Sequence, residues 1–269
     1  MKIDILGCSG GLGPGGKTTS FLVDDVLLVD AGSGLDQLSV EQMLCIEHVL
    51  ITHAHMDHIL GLPLMLGTIY ELHRRPVKVF AIPEVLDALR RHVFNWVIWP
   101  DFSRLPQGRP ILEFHAVIRG EEYSMGGYKV VPLPAVHPTP AVGFWISAAT
   151  GGSFAFTGDS GFHPPFWRQI NVLRPELIIA DVSFTEGSAD LAADSGHMTA
   201  DQLSLALGVL DYRPVIRATH FKVGQEARLA QRVEQAGSTV QGCSVGPLQQ
   251  GELYYLDGLG VRCVPPEGC

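Results

Sequence analysis

Basic residues are scarce in this chain: 19 Lys and Arg stand against 28 Asp and Glu, for a formal net charge of −9. That balance argues against a nucleic acid polymer as partner, since proteins that grip a phosphate backbone usually carry a basic face. Cysteine is sparse as well. The five thiols (Cys8, Cys45, Cys243, Cys263, Cys269) are odd in number, scattered and without a CxxC pair, so no disulfide framework is expected and a reducing compartment is. No apolar run approaches the length that spans a bilayer, and Met1 to Gly7 lacks the charged-then-apolar layout of a secretory leader. A soluble, cytoplasmic protein with no membrane partner is the expectation.

What the chain does have is apolar bulk and turn residues: 46% of its 269 residues are hydrophobic, 30 are Gly and 18 are Pro. This length supports one large domain with a well-buried core. Lys2 to Leu6 alternates, Ser20–Val23 and Val26–Val29 read as a hairpin across Asp24-Asp25, and His48–Ile51 as a further strand. Further strands are expected near 77–82, 129–133, 142–147, 153–157 and 177–180. Helices are expected after His58, from Pro83, over about 199–210 and over about 224–235. Thr199-Ala200-Asp201-Gln202 has the form of a capping box. No linker or low-complexity tract interrupts the chain. Residues 1–257 are read as a single domain of two strand-rich halves, packed sheet on sheet with helices outside, and residues 258–269 as an irregular tail.

Residues 11–18, Gly-Leu-Gly-Pro-Gly-Gly-Lys-Thr, satisfy the GxxxxGK[ST] pattern of a phosphate loop. The mechanism of that loop needs a helix to start at the Lys-Thr. Here β-branched and apolar residues lead into another strand instead, so a glycine-rich connector is the reading. Its backbone amides remain available to an anion at a substrate pocket.

The chemistry concentrates in His53-Ala54-His55-Met56-Asp57-His58, three imidazoles and a carboxylate in six residues at the end of a strand. Other residues able to ligate metal also follow apolar runs: His137 after Val130–Leu133, Asp159 after Phe154–Phe156, and His220 after Val215–Ala218. Strand-end loops gather on one edge of a sheet, where a rigid scaffold presents chemistry. Two divalent ions about 3.5–4 Å apart can share a hydroxide, bring its pKa towards neutrality and clamp a negatively charged transition state. Imidazole and carboxylate suit zinc first, and also iron or manganese.

With these motifs in this order, most of the chain resembles the metallo-β-lactamase superfamily. The resemblance implies a mixed α/β (α+β) fold, a four-layer αββα sandwich. It implies that His53, His55 and His137 hold one metal, that Asp57, His58 and His220 hold the other, and that Asp159 bridges them.

His197, in Ser195-Gly196-His197-Met198-Thr199, selects a branch. The phosphodiesterase branches carry such a residue, and cleaving a phosphodiester needs a proton donor for the departing alkoxide. The alternative is a surface histidine near a helix start. Asp181 or Asp194 can orient the ring. Only 21 residues separate His137 from Asp159. They read as a hairpin through Gly151-Gly152, leaving no room for the arm with which tRNA 3′-processing endonucleases hold their substrate. The motif HAHMDHILG is similar to that of class II cyclic nucleotide phosphodiesterases, with Met56 where Leu is usual.

The reading is therefore a dinuclear, metal-dependent phosphoric diester hydrolase acting on a small-molecule 3′,5′-cyclic nucleotide (cAMP or cGMP). His197 is the general acid, and Asp57 both ligates metal and orients the hydroxide. A homodimer is compatible with it. The alternatives are another hydrolase of the superfamily, tRNase Z-like or acting on esters or thioesters, and a di-iron redox or oxygen-binding protein. The aromatic-dense stretch with Phe94, Trp96, Trp99 and Phe102 offers faces for a purine, with core packing or a dimer interface as the alternative.

Overall fold

A computed structural model of the chain describes residues 1–239 and 242–266. The first half runs β1 (Lys2–Gly7), β2 (Ser20–Val23), β3 (Leu27–Val29), α1 (Val40–Cys45), β4 (His48–Leu50), α2 (Met56–Ile59), α3 (Gly61–Thr68), β5 (Val77–Ala81), α4 (Pro83–His92) and β6 (Leu112–Ala116). The second half opens with β7 (Tyr123–Met125), β8 (Tyr128–Pro134), β9 (Val142–Ala148), β10 (Ser153–Phe156), α5 (Pro164–Leu173), β11 (Leu177–Asp181), α6 (Ala189–Ser195) and α7 (Ala200–Val209). It ends with β12 (Val215–Thr219), α8 (Glu226–Ser238), β13 (Ser244–Pro247), β14 (Leu253–Leu256) and β15 (Val261–Val264).

Two sheets result. One has the order β15-β14-β1-β2-β3-β4-β5-β6, the other β13-β12-β11-β10-β9-β8-β7. In each, antiparallel neighbours give way to a parallel run, β3 to β6 in the first and β10 to β13 in the second. Strands covered on both faces read as continuous apolar runs rather than alternations. Accordingly Phe21–Val23, Leu27–Val29 and Leu177–Ala180 are all buried. Phe21 of the first sheet meets Phe156 of the second edge-on, ring centroids 5.0 Å apart, inside the main core. The outer face of the second sheet makes its own core with α5, α7 and α8 through Trp167, Leu203, Leu207, Leu229 and Val233. On the first sheet's side, α4 contributes Val85, Leu86 and Leu89. The result is the helix–sheet–sheet–helix layering expected of the sequence.

Local chemistry fixes the turns. Asp24 and Asp25 take positive φ (46° and 63°), a conformation that Asp tolerates better than most residues. The Asp24 carboxylate also accepts from the Lys2 amide (2.6 Å) and the Tyr128 hydroxyl (2.9 Å). Thr199 caps α7 through a complete capping box with Gln202. The connector at 11–18 leads into β2 and not into a helix, so the phosphate-loop pattern has no helix N-terminus behind it.

Two expectations change. The segment after Gly258, expected to be irregular, instead carries β15, antiparallel to β14 from Leu253↔Val264 to Leu256↔Val261. Its Val261, Cys263 and Val264 supply β-prone side chains that the Gly and Pro around them obscure. Residues 267–269, Cys269 included, lie outside the described residues. The aromatic stretch divides: Phe94 and Phe102 are core, with Tyr70 stacked on Phe102 at 5.3 Å, whereas Trp96 is 58% exposed. No helix among the described residues is long and apolar enough to cross a membrane.

The Phe21–Phe156 contact joins the two sheets at full burial, so Phe21→Ala should cost about 3–5 kcal/mol. Urea unfolding of the variant checks this; a loss below about 1 kcal/mol would mean the sheets are held together elsewhere.

Candidate metal centre

The parallel strands deliver their carboxyl ends to one edge, and the polar residues sit just beyond them. Asp30 follows β3, Thr52 and His53 follow β4, Asp159 follows β10, Asp181 ends β11 and His220 follows β12. His137 comes after β8, and His55, Asp57 and His58 lie at the start of α2.

All seven residues expected as ligands converge. His53, His55, His137 and Asp159 form one group and Asp57, His58, Asp159 and His220 another, with ligand-capable atoms within 4.8 Å of one another in each. Asp159 is common to both. Its Oδ1 lies 3.2 Å from His58 Nε2, and its Oδ2 lies 3.7 Å from His53 Nε2 and 3.3 Å from His220 Nε2. Asp57 Oδ2 stands 3.2 Å from His220 Nε2 and 3.8 Å from His58 Nε2.

The surrounding hydrogen bonds decide which nitrogen of each ring faces inward. Thr52 spends its hydroxyl hydrogen on Asp30 (2.8 Å), so His53 Nδ1 donates to the Thr52 oxygen (3.1 Å). His58 Nδ1 donates to Asp30 Oδ2 at 2.7 Å and His137 Nδ1 to the Gly196 carbonyl at 3.1 Å. The Ser183 hydroxyl donates to Asp181 Oδ1 (2.6 Å), so His220 Nδ1 donates to the Ser183 oxygen (2.9 Å). Four rings therefore hold their Nδ1 hydrogen outward and aim Nε2 at the centre, an arrangement that orients metal-ligating histidines.

Several of the inward atoms lack a hydrogen-bond partner among the described residues. His53 Nε2, His58 Nε2 and Asp159 Oδ1 are buried without a hydrogen bond, and His137 Nε2 faces His55 Nδ1 at 3.2 Å. Buried polar atoms left unpaired are costly, and convergent lone pairs repel unless a cation lies among them. The donor set, nitrogen and carboxylate oxygen only, fits divalent ions such as zinc, iron or manganese. Burial lowers the proton affinity of His53, His55 and His137, keeping them neutral as ligation requires. Burial opposes ionisation of Asp159, yet the His220 and His58 imidazoles hold its carboxyl well below the usual range. Burial likewise opposes charge on His58, but Asp159 and Asp30 raise its proton affinity well above normal; that proton must leave for a metal to bind.

His197 joins the second group from behind. Its ring stacks on His220 (centroids 5.1 Å apart, planes 19° apart), and its Nδ1 donates to Asp181 Oδ2 at 2.7 Å. Asp181 is thus the orienting carboxylate; Asp194 is exposed on α6. Asp181 also accepts from the Ser160 amide at 3.0 Å. Two glycines allow this packing. A Cβ on Gly196 would come within 2.8 Å of His137 Cα, and one on Gly10 within 2.4 Å of the His220 carbonyl oxygen.

Sequence reasoning missed Asp30, Thr52 and Ser183. Asp30 carries the signal that exposed Asp159, a carboxylate ending an apolar strand. Ser183 carries none.

This fold and this His/Asp cluster define a metallo-β-lactamase fold protein. The sequence profile of the beta-lactamase superfamily domain matches residues 26–239, and the chain belongs to that family. The chain is 28% identical over 167 residues to an uncharacterized Mycobacterium tuberculosis protein; the match spans 60% of this chain and about 60% of that relative's length. It is 25% identical over 251 residues to a 3′,5′-cyclic-nucleotide phosphodiesterase of Aliivibrio fischeri, covering 77% of this chain and 74% of that one. Among solved structures, unliganded yeast PDE1 matches with a TM-score of 0.80 at 17% identity, over 95% of this chain and 99% of that one. The short form of human tRNase Z matches with a TM-score of 0.63 at 19% identity, over 84% and 94% of the two chains. At these identities the solved structures speak for the fold.

If Asp30 orients His58, Asp30→Asn should weaken zinc binding about 10- to 100-fold, as loss of such partners does elsewhere. Competition titration against a chelating dye gives the affinity, and an unchanged value would remove Asp30 from the centre.

Proposed function

We propose that the protein is a dinuclear metal-dependent phosphodiesterase that opens a 3′,5′-cyclic nucleotide, such as cAMP or cGMP. One observation carries the reading: His197, held by Asp181, stands against the wall of a centre that otherwise contains only metal-type donors.

Two divalent ions, one held by His53, His55, His137 and Asp159 and one by Asp57, His58, His220 and Asp159, would supply Lewis acidity and water activation. The chain's own groups do the rest. Asp57 accepts a hydrogen bond from attacking water while remaining a ligand. Breaking the P–O3′ bond leaves an alkoxide on the ribose, and His197 delivers the Nε2 proton to that oxygen. Burial works against a charged His197, but the Asp181 carboxylate raises its proton affinity above the ordinary value. Asp181 fixes Nδ1–H, so Nε2 alone presents the transferable proton.

The segment between His137 and Asp159 supports a small diester. It is taken up by the antiparallel pair β9 and β10, in register from Ser153↔Ser147 to Phe156↔Phe144, and holds no protruding arm. The cyclic-nucleotide phosphodiesterase named among the relatives supports the same substrate class. A cytoplasmic location and a zinc centre complete the proposal.

Metal-reconstituted protein assayed with cAMP, cGMP, bis(p-nitrophenyl) phosphate, a thioester and a pre-tRNA tests it. Cyclic nucleotide turnover is expected; thioester or pre-tRNA turnover without it would overturn the proposal. His197→Ala should keep its metal and lose about 10²–10⁴-fold in kcat, the usual contribution of a general acid. A near-normal rate in that variant would strip His197 of its role.

A further inference from the structure

The centre's flank carries a cation that the chemistry above does not use. Lys222 follows His220 by two positions and is half-buried. Its ammonium sits 5.7 Å from the Phe184 ring centroid and 3.5 Å from the Gly10 carbonyl oxygen, the long limit of a hydrogen bond. Among the described residues it makes no ion pair, whereas Lys17, Arg174 and Arg232 all meet carboxylates. Phe184 lies 5.9 Å from the His197 ring, which itself stacks on His220. Ammonium, phenyl and two imidazoles thus make a continuous wall beside the cluster.

An unpaired ammonium is an odd occupant of that place. With divalent ions bound, the centre is itself cationic, and a further positive charge nearby is repelled. The chain has an excess of acidic residues, yet among the described residues none makes an ion pair with this one. The cost is offset when an anion enters. Phe184 holds the ammonium by a cation–π contact, and Gly10, pinned against His220, limits its travel on the other side.

We infer that Lys222 is the substrate's anion anchor, donating a charge-assisted hydrogen bond to a non-bridging phosphate oxygen of the cyclic diester and to the more highly charged phosphomonoester it yields. The inference rests on the phosphodiesterase reading for its substrate. It gives the Gly10 carbonyl, just before the glycine-rich connector, a supporting role.

The test uses metal-reconstituted protein with cAMP as substrate, 5′-AMP as the product-like probe and adenosine as the uncharged control. Lys222→Met keeps the stem over Phe184 and removes the charge. It should raise KM for cAMP about 10- to 100-fold, the range of a lost charge-assisted hydrogen bond, with kcat within about threefold. Calorimetric affinity for 5′-AMP should fall by a similar factor and that for adenosine should hold. Lys222→Arg should recover most of the loss. Values of KM and 5′-AMP affinity within about twofold of wild type would overturn the anchor. So would a loss that tracks lower melting temperature or zinc affinity and is not rescued by Arg; Lys222→Gln replaces Met if that variant does not fold. Wild-type protein that binds 5′-AMP through Lys222 but leaves cAMP intact would sink the phosphodiesterase reading and leave the anchor standing.

Discussion

The Asp159 carboxylate faces three imidazoles at once, and the centre is organised around that fact. One oxygen points to His58 and the other to His53 and His220, so a single buried side chain belongs to both ligand groups. A carboxylate cannot stay charged and buried without compensation, and here the compensation is geometric. It requires β10, β4 and β12 to end at the same edge, which the sheet-on-sheet packing around Phe21 and Phe156 provides. The site is thus a consequence of strand register as much as of residue type.

Around it lies a shell of neutral and acidic partners whose work is orientation. Asp30 holds Thr52 and His58 together, and Asp181 does the same for Ser183 and His197. Each is a carboxylate at the end of a parallel strand, one in each sheet, so the two halves solve the same problem the same way. Asp30 and His220 both have positive φ, 56° and 67°. Such backbone is unfavourable for residues with a Cβ and persists where neighbours over-determine it. Both are clamped: the Asp30 amide bonds Leu50 and the His220 amide bonds Cys8.

Much of this was legible in the residues. The HxHxDH run, and the rule that ligands follow apolar strands, found all seven members of the cluster. The capping box placed Thr199, and the short β9–β10 connection was readable from its length. What escaped has a physical pattern. Ring tautomers depend on Asp30, Ser183 and the Gly196 carbonyl, which lie far along the chain from the rings they hold, and on Thr52, whose role is set only once Asp30 takes its hydroxyl hydrogen. The split of the aromatic stretch depends on what packs against each ring, and Phe94 and Trp96 are indistinguishable until Phe102, and Phe114 of β6, meet Phe94. β15 was missed because four residues flanked by Gly and Pro make a weak periodic signal, and pairing with β14 is what makes them a strand.

The position of β1 has a bearing on how the chain reaches this state. It lies between β2, its near neighbour in sequence, and β14, whose Tyr255 pairs with Lys2. On the ribosome β1 and β2 are made well before β14, which follows β1 by some 250 residues. Until then one side of β1 is an open row of amides and carbonyls, able to recruit another nascent chain. Lys2 and Asp4 on that strand are half-buried charges, and charged side chains disfavour pairing of an open edge with another chain.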